Sequence, residues 1–383
     1  MAKKVLFGAT VDYHFKAFHL PYLKWFKDQG WEVHVAAKGD LKLPYVDHKY
    51  NIPIQRSPIS KGNIEAYKKL KWIMDNHHYD LIHCHTPVGG MLARLAAKKA
   101  RKRGTTVVYT AHGFHFCKGA PLKNWFIYYP LEKIMSRFTD CLITINQEDY
   151  QLSLKQFNVD KIEHVHGVGV DTIDFKPLSE QQKYERKKSF GYHPNDFLLV
   201  YAAEFNRNKN QHFLLKSFAS LNAEIPAAKL LLAGEGALLE QCKELALELG
   251  ISDHVHFLGF RNDIRQLVQM CDIAVASSFR EGLPVNVMEA MACGLPVVAI
   301  DNRGHRELIQ NNKNGWLVNG EDQDAFNSKI KLLFTNEDIR RKLGQNGRQT
   351  IVNTYSMNQV LAEKSAIYQS FMTETEDAKW VVH

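Results

Sequence analysis

Two glutamates, Glu281 and Glu289, stand in the stretch FREGLPVNVMEAMACG, residues 279–294. Glu281 follows the apolar run Ile273–Ala276 and precedes Gly282, Leu283, Pro284 and Val285. This spacing predicts a strand, a glycine-containing loop, and a helix from Val287 to Ala292 that Gly294 and Pro296 stop. A helix opening toward a loop offers unpaired N–H groups and the positive end of its dipole, a place for a phosphate or carboxylate. One acid could then take sugar hydroxyls and the other, about two turns on, a ribose. A plain loop charge and a plain exposed helix acid would read the same. Arg207 and Lys209, in AAEFNRNKNQ, follow another apolar run and could hold a pyrophosphate. Gly234 and Gly236, in AGEG, permit close approach of a ligand to backbone. Gly259-Phe260-Arg261 could set backbone groups and a ring against a base. His112, in TAHGFHF, could bond a substrate, act as acid or base, or satisfy a loop.

Other patterns carry less. His83, Cys84 and His85 resemble metal ligands, but on a strand the histidines point to one face and the cysteine to the other. No second ligand cluster has zinc-like spacing, so no metal is expected. Asp322-Gln323-Asp324 fits the D-x-D of metal-dependent sugar transferases, yet stands at an expected helix start, where acids are caps. A G-x-x-x-x-G-K-[ST] loop is absent, and the first strand, in FGATVDYHF, has no G-x-G-x-x-G after it.

The elements that must position these residues alternate. Strands are expected at Lys4–Ala9, Trp31–Ala37, Tyr50–Ile54, Leu81–His85, Thr106–Ala111, Cys141–Asn146 and Ile162–His166. After the irregular GVGVDTIDFKP, Gly167–Pro177, six more follow: Phe197–Ala203, Lys229–Ala233, His254–Leu258, Ile273–Ala276, Pro296–Ile300 and Trp316–Val318. Helical patterns fill the gaps, including one from the first strand to Gly30 and one over Gly89–Arg103. Met357–Phe371 is a final helix, with a loose tail after it. Repeated βα order means parallel sheets covered on both faces. The fold class is therefore α/β, with two doubly wound Rossmann-like domains in tandem, about 1–175 and 176–355. The unusual residues gather at strand ends, where such sheets bind ligands, which suggests two domains facing across one cleft.

Bulk properties agree. At 383 residues the chain exceeds one ordinary core. Six scattered cysteines without C-x-x-C fit reduced, buried thiols in a cytoplasmic protein. No apolar run reaches transmembrane length. Residues 1–177 hold 26 Lys+Arg against 16 Asp+Glu, a balance of +10, while the remainder stands at −2. A basic half suggests an anionic partner: nucleic acid, lipid headgroups or a phosphorylated substrate. Lys98-Lys99-Ala-Arg101-Lys102-Arg103 is its densest cluster. The aromatic, basic segment Pro121–Phe138 is read as a helix with a kink at Pro130. It could be a core helix, lie on a membrane or bind a lipid-linked acceptor.

In this order, E-G-L-P-x-x-x-x-E at Glu281–Glu289 with AMACGLPVVA, AGEG at Ala233–Gly236 and GVGVDTIDF at Gly167–Phe175 resemble the retaining nucleotide-sugar glycosyltransferases of family 4, with the GT-B fold. YTAHGFHFCKGAP at Tyr109–Pro121 is similar to their EpsD-like exopolysaccharide and capsule branch. The resemblance implies a donor-binding second domain and an acceptor-binding first domain, with the final helix, about 356–372, crossing back onto the first. It implies that Glu289 takes ribose and that Glu281 with the backbone at Gly282–Val285 holds the donor sugar. Lys209 would neutralise the leaving diphosphate, Gly8 would stand in an N-terminal loop at the cleft, and His112 would contact the transferred sugar. The donor would be a nucleotide sugar, UDP-linked, carrying a hexose or N-acetylhexosamine. The acceptor would be a lipid-linked glycan at the inner membrane face, with no nucleic acid partner, no cofactor and no metal. One position departs from the pattern: Glu204 stands where the family has arginine, and Arg207 is the candidate replacement. Two rivals stay open, a nucleotide-sugar epimerase of the same architecture and a non-catalytic partner in polysaccharide assembly.

Overall fold

The structure, a computed structural model, describes residues 2–320 and 322–380, with side chains as far as Met372. The chain divides into two compact units. One comprises the chain up to Val168 and from Asn358 onward; the other is Gly169–Met357. The second unit begins before Phe175 because that segment is tied to it. Arg348 Nη1 donates to Phe175 O at 3.0 Å, and Gln269 Nε2 to Lys176 O at 2.9 Å.

Among the described residues, the first unit holds seven strands: β1 (Lys4–Val11), β2 (Glu32–Lys38), β3 (His48–Asn51), β4 (Leu81–His85), β5 (Thr106–Ala111), β6 (Cys141–Thr144) and β7 (Lys161–His164). They pair in parallel in the order β3-β2-β1-β4-β5-β6-β7. Side chains alternate between two cores. Leu6, Ile82, Cys84 and Val107 enter one; Val5, Phe7, Leu81 and Val108 enter the other. Burial on both faces is why these strands read as unbroken apolar runs. Val360, Ile367 and Tyr368 of the helix Met357–Trp380 complete the second of these cores. That helix continues through the segment expected to be a loose tail, and residues 381–383 lie outside the described residues.

The second unit contributes β8 (Phe197–Ala202), β9 (Ala228–Ala233), β10 (Val255–Phe257), β11 (Ile273–Ala276), β12 (Val297–Ile300) and β13 (Gly315–Val318). All pair in parallel, in the order β10-β9-β8-β11-β12-β13. In each sheet the direction of winding reverses once, at β1/β4 and at β8/β11. The crevice outside the carboxyl ends of such strands is where doubly wound sheets take ligands.

Several expectations shift. The helix expected from the first strand to Gly30 is two, Tyr13–Phe18 and Leu20–Asp28, divided at His19. Pro21 has no N–H to continue the first helix's hydrogen bonding. Gly8 is not in a loop: β1 runs on through Val11, which pairs with Lys38, and Gly8 is buried between Ala36 and Cys84. The basic cluster is partly structural. Arg101 binds Asp140, Lys98 Nζ lies 4.2 Å from the Phe138 ring centroid, and Arg103 Nη2 donates to Met74 O at 2.6 Å. The helix Leu122–Ser136, with Pro130 inside it, is not a buried core helix. Trp125, Tyr128 and Tyr129 pack inward, but Leu122 is 74% and Phe126 78% exposed, and Ile127 and Ile134 are exposed too. All six cysteines are buried.

Candidate active site

Lys209 follows β8, and Glu281 follows β11, so the two stand at the carboxyl ends of the strands where winding reverses. Lys209 Nζ donates to Glu281 Oε1 at 2.5 Å, with side chains 21% and 13% exposed. Residues outside the pair fix its two loops to each other. Phe279 N–H donates to Asn208 O at 2.8 Å, and Asn208 Nδ2 returns a bond to Arg280 O at 2.9 Å. Ser277 Oγ donates to Lys209 O at 2.7 Å. Asn206 Oδ1 accepts the N–H groups of Asn208 and Lys209, shaping the turn that presents the lysine. Crosslinked loops of this kind hold a charged pair in place before any ligand arrives.

The helix beyond Glu281 begins at Val285, two residues before Val287, and ends at Ala292. Pro284 is its N-cap, and no side chain caps it. The first-turn N–H groups therefore lack partners within the helix. Pro284 itself has no N–H, so backbone donors in Gly282–Val285 are limited to Gly282, Leu283 and Val285. Glu289 lies one turn further along. It keeps some solvent contact, but protein surrounds it closely enough that burial pushes its carboxyl up to about 7. An ordinary exposed helix acid would not show this.

Gly234 and Gly236 have φ of 145° and 153°. A Cβ on Gly234 would come within 2.1 Å of Ala203 O, and one on Gly236 within 2.3 Å of Phe205 O. The close approach that these glycines allow is to the chain leaving β8. Arg261 is engaged by Asp263, Nε to Oδ1 at 2.7 Å, while Phe260 is 59% exposed. Arg207 and Glu204 are both exposed.

In the first unit, His112 follows β5, and its Nε2 lies 3.3 Å from His85 Nδ1 at the end of β4. His14 and His19, from the segment after β1, join them. One ring nitrogen from each of the four lies within 4.8 Å of the others. The second ligand cluster that spacing did not show is supplied by the fold.

Residues 4–146 match the family model described as Glycosyl transferase 4-like, and residues 182–350 that described as Glycosyl transferases group 1. Over 373 residues the chain is 52% identical to EpsD of Bacillus subtilis (strain 168), a glycosyltransferase by name, covering 97% of this chain and 98% of that protein. The chain belongs to this glycosyltransferase family. It is also 28% identical over 301 residues to the UDP-Gal:alpha-D-GlcNAc-diphosphoundecaprenol alpha-1,3-galactosyltransferase of Escherichia coli, covering 78% of this chain and 76% of that one. Among solved structures, HepE of Anabaena, in complex with UDP and glucose, superposes with a TM-score of 0.81 at 20% identity, over 97% of this chain and 100% of the other. That likeness concerns the fold, the two Rossmann-like domains of GT-B glycosyltransferases.

In this glycosyltransferase, sequence reading missed the segment Asn302–His305 after β12. Asn302 Nδ2 donates to Ser278 O at 2.8 Å, and Arg303 Nε to Glu281 O at 2.9 Å. A Cβ on Gly304 would lie 2.6 Å from Glu281 Cβ, so only glycine lets that helix start approach the acid. The sequence does carry a signal: DNRGH stands at the end of the apolar run Pro296–Ile300, as Glu281 stands after Ile273–Ala276. Asp322 is a cap, its Oδ1 accepting Ala325 N–H at 2.9 Å.

Proposed function

We propose that this glycosyltransferase moves a hexose or N-acetylhexosamine from a UDP sugar to a lipid-linked glycan in exopolysaccharide or capsule synthesis. Transfer retains the anomeric configuration and needs no metal. The observation that carries the reading is the Lys209–Glu281 pair held beside an uncapped helix start. The second unit binds the donor and the first the acceptor. Lys209, with the helix N–H groups and Arg207, takes the diphosphate. Glu281 and the backbone donors of Gly282, Leu283 and Val285 hold the sugar. Glu289 accepts the ribose hydroxyls, Gly234 and Gly236 border the nucleotide, and Phe260 and Arg261 border the base. His112 is assigned to the transferred sugar. Gly8 is assigned to the donor only through its strand, because it has no loop to contribute. The donor phosphate takes the acceptor's proton. Arg303, bonded to the Glu281 carbonyl, adds positive charge that the family pattern places at the position of Glu204.

Lysine and helix dipoles can neutralise a leaving diphosphate without a metal ion. Activity with a UDP sugar and a prenyl-diphosphate-linked glycan should therefore survive excess EDTA. Loss on chelation, restored by Mg2+ or Mn2+, would overturn this mechanism. Incubating protein with donor alone tests the epimerase alternative, which would convert the donor without an acceptor.

Membrane contact belongs to the same reading. Among the described residues no helix is long and apolar enough to cross a membrane. The helix Leu122–Ser136 instead exposes Leu122, Phe126, Ile127 and Ile134 beside exposed Lys123 and Lys133. Apolar side chains flanked by cations suit an anionic bilayer surface. Phe126→Glu with Ile127→Glu should abolish cosedimentation with anionic vesicles while leaving UDP affinity intact. Unchanged sedimentation would remove this helix from the membrane contact.

A further inference from the structure

The four imidazoles of the first unit form a site of their own. His14 and His19 come from the chain after β1, His85 ends β4, and His112 follows β5. The fold thus collects them at the carboxyl ends of three adjacent strands. His14 Nε2 and His19 Nε2 are 3.0 Å apart, and His112 Nε2 and His85 Nδ1 are 3.3 Å apart. A tetrahedral ion with nitrogen ligands at about 2.0–2.1 Å holds those nitrogens about 3.3 Å from one another. Both contacts fall near that value, and the remaining pairs lie within 4.8 Å.

His85 is fully buried, and the nitrogen it turns toward His112, and would offer an ion, is Nδ1. Its neighbour on the same strand face, His83, is engaged on both nitrogens, by Thr110 Oγ1 and Tyr368 Oη at 2.8 Å each, and takes no part in the cluster.

We propose that His14, His19, His85 and His112 bind a divalent transition ion of the Zn2+, Co2+ or Ni2+ class. An all-imidazole set without carboxylate suits these ions and not Mg2+ or Ca2+. Burial favours the neutral imidazole that a metal requires: it pushes His14 down to about 4 and holds His19, His85 and His112 well below the usual range. His14 and His112 are part-exposed, which gives an ion its entry, while His19 and His85 close the inner side. Phe7 stacks on His85 with ring planes 7° apart and fixes that ring.

One group opposes the ion. Lys364 is fully buried, with Nζ 4.3 Å from the Tyr22 ring centroid and no hydrogen-bond partner. Besides burial, its charge holds the imidazoles of His14, His19 and His112 below their usual range. A charged Lys364 and a bound dication disfavour each other, which makes this lysine a brake on metal affinity.

The site also bears on transfer, through the assignment of His112 to the sugar made above. An ion holding His112 withdraws it from that role, so zinc should inhibit and EDTA should restore activity. The test titrates ZnCl2 and CoCl2 into the EDTA-treated, dialysed full-length chain, with calorimetry and visible absorption as readouts. The expected result is one saturable equivalent and the intense visible bands of tetrahedral Co2+. His14→Ala should weaken affinity at least about ten-fold with unchanged thermal melting and UDP affinity, because one of four ligands is lost. Lys364→Met should tighten it several-fold, which an adventitious surface site would not show. No saturable equivalent, an octahedral Co2+ spectrum, or equal affinity in wild type and His14→Ala overturns the site. Zinc bound at these histidines without inhibition leaves the site standing and overturns the sugar-contact role of His112.

Discussion

Replacing Lys209 by alanine is expected to lower kcat by two to three orders of magnitude, with a much smaller change in donor KM. Negative charge accumulates on the leaving diphosphate as the glycosidic bond breaks, so a cation there stabilises the transition state more than the bound donor. Loss of one preorganised charge-stabilising donor typically costs about 2.7–4 kcal/mol, which is that fold-change. The geometry supports the high end. Lys209 is only 21% exposed, and its loop is tied to the Glu281 loop through Asn208 and Ser277. The alanine variant also strips Glu281 of its partner, which could disturb the loop by itself. Comparing Lys209→Ala/Glu281→Gln with Glu281→Gln alone separates the two effects. If the single lysine variant is slow only because Glu281 is unpaired, the double variant matches Glu281→Gln. If the lysine neutralises the leaving group, the double variant is slower still by a similar factor. Near-normal single-turnover rates in Lys209→Ala would remove this residue from the phosphate site.

Glu289→Gln should move binding and stability in opposite directions. A carboxylate accepting two ribose hydroxyls is a charged acceptor, worth about 1.5–3 kcal/mol per hydrogen bond. Its loss should weaken UDP binding roughly ten- to a hundred-fold in calorimetry. Unchanged affinity would sink the ribose assignment. The free protein behaves differently, because burial pushes this carboxyl from 4.5 to about 7. Between those two values the folded chain holds a proton that the unfolded chain releases. Stability therefore falls as pH rises through that window and stays lower above it. Glutamine lacks the charge, so the variant should melt higher at about pH 8, by the equivalent of at most about 3 kcal/mol, with no gain at about pH 4. Partial solvent contact lowers that ceiling. Hydroxyl donation favours the ionised form, so wild-type UDP affinity should rise with pH through about 7 and be flat in the variant.

The sequence by itself determined the elements and most of their order. Leu81–His85, Thr106–Ala111 and Ile273–Ala276 are strands to the residue, because strands buried on both faces are continuous apolar runs bounded by polar or turn residues. The strand ends that carry Lys209, Glu281 and His112 were legible for the same reason, as were the two-sheet architecture and the family. Periodicity cannot report which distant segments meet. The choice between a core helix and an exposed one at Leu122–Ser136 stayed open because aromatic residues read alike whether or not a partner covers them. Gly304 was hidden because its requirement comes from Glu281, across a strand crossover. Burial of Glu289 depends on what closes over its helix, not on its neighbours in the chain. The histidine cluster is the clearest case. His14 and His19 are separated from His85 by two strands, β2 and β3, and two helices, and His112 lies a further strand on; only winding of β4 next to β1 brings the four imidazoles together. Tertiary structure decided those juxtapositions because they arise from strand order, a long-range choice that local residue spacing does not encode.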